Sequence, residues 1–241
     1  GKLLFPLMAE VLLQVHNATK GYGARTLFAG ASFAANEGEH IGVIGPNGAG
    51  KSTLFRCLVG QDQLDSGQVI RSSRCRVGYL AQEETFASDQ TLEQYLENHC
   101  LTPLWDLRAL GLRLGLNDQH WRTPIPQLSG GYRMRAKLLA LIGQQPNVLL
   151  LDEPTNYLDL ESVFVLESFL QNFDGAFLLI SHDREFLRRT TDHTLEIENG
   201  DFTKFNGNID DYFEQKALLR EQLAKQVLSQ EAKRNEVMKF A

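Results

Sequence analysis

The run Gly45-Pro46-Asn47-Gly48-Ala49-Gly50-Lys51-Ser52-Thr53 constrains this chain more than any other feature. It satisfies the spacing G-x-x-x-x-G-K-[ST], in which a glycine-rich turn between a strand and a helix wraps its N–H groups around phosphate oxygens. The flanks agree with that context. Ile41–Ile44 is a compact apolar run, and Ser52–Val59 has helical spacing. Gly48 and Gly50 allow the close backbone wrap, and the helix that follows adds the positive end of its dipole. Lys51 then serves the β- and γ-phosphates of a nucleoside triphosphate, and the Ser52 hydroxyl ligates Mg2+. The competing reading is a chance glycine-rich turn, and the strand before and helix after argue against it.

Val148-Leu-Leu-Leu-Asp152-Glu153 supplies the second half of such a site. A buried strand ending in a carboxylate brings Asp152 to the magnesium shell, and Glu153 is placed to orient an attacking water. Phosphoryl transfer rests on positioning and charge neutralisation, so these few groups suffice. Two acids after a strand would by themselves more often be a solvated loop; beside the phosphate loop they read as functional.

The bulk properties bound the rest. A chain of 241 residues, 43% hydrophobic and 22% charged, suits one large α/β domain or one domain with a small satellite. No apolar run approaches the roughly 20 residues of a membrane helix. The opening before Met8 is too short for a signal peptide, and whether residues 1–7 are native stays open. A net charge of −6 argues against nucleic-acid binding through bulk positive charge. Cys57, Cys75 and Cys100 show neither disulfide nor metal spacing, which fits a reducing cytoplasm.

Along the chain, Val11–Val15, Val77–Leu80, Val148–Leu151 and Ala176–Ile180 are strand candidates. Thr194–Ile197 and Phe202–Phe205 flank Asn199-Gly200 and read as a hairpin. Between Thr91 and Leu116 the leucines recur at three- and four-residue spacing, a helical insert. Asp210 is a candidate cap for a helix running through Tyr212, Leu219, Leu223 and Val227 to the end. From Glu214 onward it holds six Lys/Arg, four Asp/Glu and no Gly or Pro, too polar for its own core packing. It reads as a bridging or coiled-coil segment.

Leu128-Ser129-Gly130-Gly131-Tyr132, opening a helix shortly before Asp152, resembles the signature of the ATP-binding cassette (ABC) family. The resemblance extends to Tyr22 in Lys20-Gly-Tyr-Gly, Gln82 in Tyr79-Leu-Ala-Gln82, Asn156-Tyr-Leu-Asp159 and Ile180-Ser-His182-Asp. It implies that Tyr22 stacks on adenine, Gln82 senses magnesium and water, Asp159 belongs to the D-loop, and His182 is the switch histidine. The remaining histidines lack such context and read as structural or surface groups.

The wording Ser129-Gly-Gly-Tyr-Arg-Met-Arg135, Asp152-Glu-Pro-Thr-Asn-Tyr-Leu-Asp-Leu-Glu-Ser162 and Ser181-His-Asp-Arg-Glu-Phe-Leu187 resembles the ABC-F branch. So does Gly207-Asn-Ile-Asp-Asp-Tyr212 leading into the polar helix. Tyr157 departs from the histidine usual there. The implied fold is an α/β ABC-type P-loop nucleotide-binding domain over residues 10–208. It has a RecA-like parallel core, an antiparallel β subdomain and a small α-helical subdomain over about 83–145. Residues 1–9 form a tail and 209–241 open an inter-domain linker helix.

The resemblance also implies a composite ATP–Mg2+ site, with Ser129, Gly130 and Gly131 of one cassette clamping the γ-phosphate held by another. The second cassette comes either from a head-to-tail dimer or from a native chain continuing past Ala241, and the linker favours continuation. The expected role is a cytoplasmic ATPase acting on the ribosome and its tRNA, without membrane insertion. The alternative is the energising subunit of a membrane transporter, which predicts a groove near Gln82 for a membrane partner's coupling helix.

Overall fold

The computed structural model describes residues 10–81, 89–156 and 158–239; Gln82 and Tyr157 lie outside them. The first strand extends well past its apolar alternation. β1 (Val11–Tyr22) turns into β2 (Arg25–Asn36), and the two pair antiparallel with Tyr22 opposite Arg25. β3 (His40–Ile44) leads through the glycine-rich turn into α1 (Lys51–Val59). β4 (Ser66–Arg71) returns to β1, giving a three-stranded sheet of order β2-β1-β4.

The second sheet adds β5 (Val77–Leu80), β6 (Val148–Asp152), β7 (Ala176–Ile180), β8 (His193–Glu198) and β9 (Asp201–Asn206) to β3. Its order is β5-β6-β7-β3-β8-β9, parallel from β5 to β8 with β9 antiparallel at the edge. Every residue of β6 and β7 is buried, as continuous aliphatic runs should be when both faces are covered. The turn between β8 and β9 places Asn199 at φ 53° and Gly200 at φ 82°, the left-handed pair that a tight hairpin needs.

α1 lies between the two sheets. Leu54, Phe55 and Leu58 are fully buried in one core with Phe28, Val43, Leu150, Leu178 and Ile197. Each such side chain contributes about 1.5–3 kcal/mol, so α1 is rigidly held. The opposite face of the parallel sheet packs under α2 (Leu92–His99), α3 (Leu104–Arg113), α4 (Asp118–Arg122), α5 (Gly130–Gly143), α6 (Leu160–Gln171) and α7 (Arg184–Thr190). Trp121, 1% exposed, fills the space among the leucines of the helical insert.

α8 (Ile209–Lys239) closes the described chain. Its cap is Asn208 and not the expected Asp210. Asn208 Oδ1 accepts from Asp210 N at 2.9 Å and Asp211 N at 3.3 Å, while Asp211 Oδ2 accepts from Asn208 N at 2.9 Å. This reciprocal arrangement leaves Asp210 inside the first turn, free to pair with Arg184 at 2.6 Å. Ile209 and Tyr212 are buried, whereas Leu218, Leu219, Leu223 and Val227 are exposed. Among the described residues no helix is long and apolar enough to cross a membrane.

Candidate functional site

The site is built around the N-terminus of α1. Gly50 caps it at φ 100°, a left-handed backbone that a side chain would strain. Ala49 N donates to Pro46 O at 3.1 Å, closing the turn. Lys51 Nζ donates to Gly45 O at 2.8 Å and Pro46 O at 3.2 Å, so the ammonium lies back along the loop it serves.

A cleft of about 520 Å³ opens in front of this loop. Asn47, Gly48, Gly50, Lys51, Ser52 and Thr53 form its floor. The antiparallel sheet contributes Tyr22, Arg25 and Leu27, and the parallel sheet contributes Asp152, Glu153, Ile180 and His182. Gly45, Pro46 and Ala49 complete the loop behind the floor.

The carboxylates at the end of β6 are unusual. Asp152 Oδ1 and Glu153 Oε1 are buried without a hydrogen-bond partner among the described residues. Burial pushes the Asp152 carboxyl up, opposed by a hydrogen bond from Ser52 and by the charges of Arg56 and Lys51. Burial likewise pushes the Lys51 ammonium down, opposed by Glu153 and Asp152. Ser52, Lys51 and Asp152 are therefore close neighbours.

Glu153 has φ 50°, a sparsely populated region for a residue with a side chain. Its N–H donates to Ile180 O at 2.9 Å, and its Oε2 accepts from His182 N at 3.3 Å. Oε1 lies 3.2 Å from His182 Nε2 but without hydrogen-bond geometry. The His182 side chain is 67% exposed and faces the cleft.

The donors suit Mg2+. A buried carboxylate oxygen with no proton donor among the described residues, beside a serine hydroxyl, offers hard oxygen ligands. Among the described residues no group of three or more His, Cys, Asp or Glu could cage a metal by protein alone. One carboxylate and one hydroxyl are a donor set suited to an ion that takes its other ligands from substrate phosphates and water.

Ser129, Gly130, Gly131 and Asp159 do not line this cleft and form a second group. Ser129 caps α5, accepting from Tyr132 N at 3.5 Å, and Asp159 caps α6, accepting from Ser162 N at 2.8 Å. A side chain at Gly131 would meet Ser162 Oγ at 2.8 Å, so the two helix starts touch there. Buried Arg135 bonds them, its Nε and Nη2 each donating to Ser162 Oγ at 3.1 Å.

Sequence reasoning missed three groups at these sites. Arg25, whose Nη2 donates to Gly48 O at 2.9 Å, was findable once Tyr22-Gly-Ala-Arg25 is read as a hairpin tip. Asp62, bonded to Tyr22, and Arg135, buried under the signature, carry no local signal.

A family profile described as ABC transporter matches residues 28–156, more than half of the chain. The chain belongs to the ATP-binding cassette family. A second profile, also described as ABC transporter, matches residues 195–241 of this cassette. The cassette is 42% identical over 193 residues to the ribosome protection protein VmlR of Bacillus subtilis, covering 80% of this chain and 35% of VmlR. It is 38% identical over 218 residues to the energy-dependent translational throttle protein EttA of Haemophilus influenzae, covering 88% of this chain and 39% of EttA. These relatives are ABC-F proteins, the branch its signature resembles. The cassette thus spans little more than a third of the length of the relatives it matches. Among solved structures it resembles the ATP binding subunit of an ABC transporter. The TM-score is 0.75 at 23% identity, over 89% of this chain and 98% of the other. At that identity the likeness shows the cassette fold alone.

Proposed function

We propose that this cassette binds ATP with Mg2+ in the cleft above α1, hydrolyses it against a second cassette, and acts on the ribosome in translation. The observation that carries the reading is the buried carboxylate pair Asp152 and Glu153 beside Lys51 and Ser52, in which Asp152 Oδ1 and Glu153 Oε1 accept no hydrogen bond among the described residues. A fold keeps such atoms bare only at a cost, and a triphosphate with its ion accounts for them.

In this reading the N–H groups of the loop that runs from Gly45 to Thr53, together with Lys51, hold the phosphates of the nucleotide, Lys51 serving the β- and γ-phosphates. An ion bound by Ser52 and Asp152 would neutralise charge on the phosphate oxygens. Glu153 orients the attacking water and accepts its proton, with its backbone fixed by Ile180. His182 donates to the γ-phosphate, Gln82 joins the water and metal shell, and Tyr22 stacks on the base. Ser129, Gly130, Gly131 and Asp159 serve the nucleotide of the partner cassette, which is why they stand outside this cleft.

Residues 10–208 then make up the cassette, with the helical subdomain over about 83–145 and a tail over 1–9. Residues 209–241 begin a linker to a second cassette in the same native chain or, failing that, a head-to-tail copy. The translational reading draws on the likeness to a ribosome protection protein, VmlR, and a translational throttle protein, EttA, and on the branch wording of the signature; it makes the protein cytoplasmic. Copurification with an integral membrane protein in place of ribosomes would favour a transporter subunit.

Glu153→Gln tests the chemistry. Phosphate release should fall by about 10²–10³-fold while ATP affinity is kept. Undiminished hydrolysis would take Glu153 out of its role.

A further inference from the structure

Tyr22, the proposed base platform, is not a free-standing aromatic. It is 49% exposed at the end of β1 and lines the cleft, yet its hydroxyl donates to Asp62 Oδ2. Lys20, buried despite its charge, sets its Nζ 4.8 Å from the centroid of the Tyr22 ring. The same Nζ donates to Asp62 Oδ1 at 2.8 Å and to Gln63 O at 2.7 Å, and Gly21 N donates to Asp65 Oδ2 at 2.7 Å. Three consecutive residues of β1 are thus fastened to the segment 62–65. Lys20 first, and then Tyr22, hold the Asp62 carboxyl down to about 2, so it is ionised throughout the neutral range.

Asp62 is itself tied to the end of α1. Gly60 closes that helix in the left-handed region, and Gln61 N and Asp62 N both return to Arg56 O, at 2.9 and 3.2 Å. The helix whose first turn carries Lys51 and Ser52 therefore ends in the loop that holds Tyr22.

We infer that Asp62 is a positioning residue for nucleotide binding: it fixes the Tyr22 ring between the Lys20 ammonium and the cleft, so both ends of the nucleotide are referred to α1. A ring locked before the ligand arrives loses no rotamer freedom on binding. The ammonium behind it adds a cation–π contact to the stack. The inference rests on the nucleotide-site reading above and adds to it the group that sets the base platform.

Tyr22→Phe keeps the ring and removes its anchor, while Asp62→Ala removes the acceptor. Each should weaken ATP binding by about three- to tenfold, and the double variant should be no worse than the weaker-binding single. Isothermal titration with inorganic tripolyphosphate and magnesium, a ligand without a base, should give the same affinity in both variants as in the unmodified chain. Equal losses for ATP and tripolyphosphate would make Asp62 a general fold residue and overturn the inference, as would unchanged ATP affinity or additive losses. If the unmodified chain binds neither ligand, the nucleotide-site reading falls first and takes the inference with it.

Discussion

Asp152 ends a strand whose five residues are all buried, and one of its oxygens has no donor among the described residues. Burial raises its carboxyl despite Ser52, Arg56 and Lys51, so the fold carries a cost whenever this group is charged. The sign follows from linkage: a raised acid is penalised above its folded-state value and not below the ordinary 3.8. Asp152→Asn should therefore stabilise the ligand-free protein at pH 7 by about 1 kcal/mol, a few degrees in Tm. That gain should shrink as pH falls toward the ordinary carboxyl range, and Mg2+-dependent ATP binding should be lost. Thermal melts across pH check this; a variant that melts lower at pH 7 would contradict the account of the buried charge. Stability forgone at a working site is expected when the same charge is needed for a ligand.

α8 is joined to the cassette through its first two turns. Tyr212 Oη donates to buried Glu196 Oε1 at 2.5 Å, and Lys216 Nζ bonds both Glu196 and Glu198, the latter at 2.5 Å. Burial first, and then Glu196, push the Tyr212 phenol up to about 12. Its stabilising bond is complete below the ordinary 10 and is lost as pH climbs toward 12. Tyr212→Phe should cost about 1 kcal/mol at neutral pH, and the gap to the unmodified protein should close above pH 10. Denaturant titrations at both pH values read this directly; a pH-independent gap would contradict it.

Legibility divides along the same lines as these elements. β6 and β7 were readable because a nearly unbroken aliphatic run buried on both faces leaves a signal in every residue, and β5 because its short run Val77-Gly-Tyr-Leu80 still carries strand-forming apolar residues. β2 and β4 were not: alanine and glycine dilute the alternation in Arg25–Asn36, and Ser66–Arg71 lies mostly exposed. The phosphate loop and Asp152-Glu153 were legible because their chemistry needs fixed spacing. Asp62 was not, because its bond to Tyr22 spans 40 residues and exists only once the sheet and α1 are assembled. The cap of α8 falls two residues before Asp210, since Asn and Asp both cap well and the bonds of Asn208 Oδ1 to the N–H groups of Asp210 and Asp211 exist only in the folded turn.

Across the whole molecule, Lys51, Ser52, Asp152, Glu153 and His182 meet in one cleft, while Ser129, Gly131 and Asp159 gather in another place. On the proposed reading, a cassette so divided would supply half of each of two sites. Removing residues 213–241 should leave ATP binding intact and abolish association with ribosomes in cosedimentation, and unchanged association would count against the linker reading. The central claim, that the loop ahead of α1 holds a triphosphate, is tested most directly by titrating ATP with magnesium into the unmodified chain and into Lys51→Ala. Losing a charge-assisted phosphate contact should weaken binding by about tenfold or more. Equal affinities for the two proteins would contradict it.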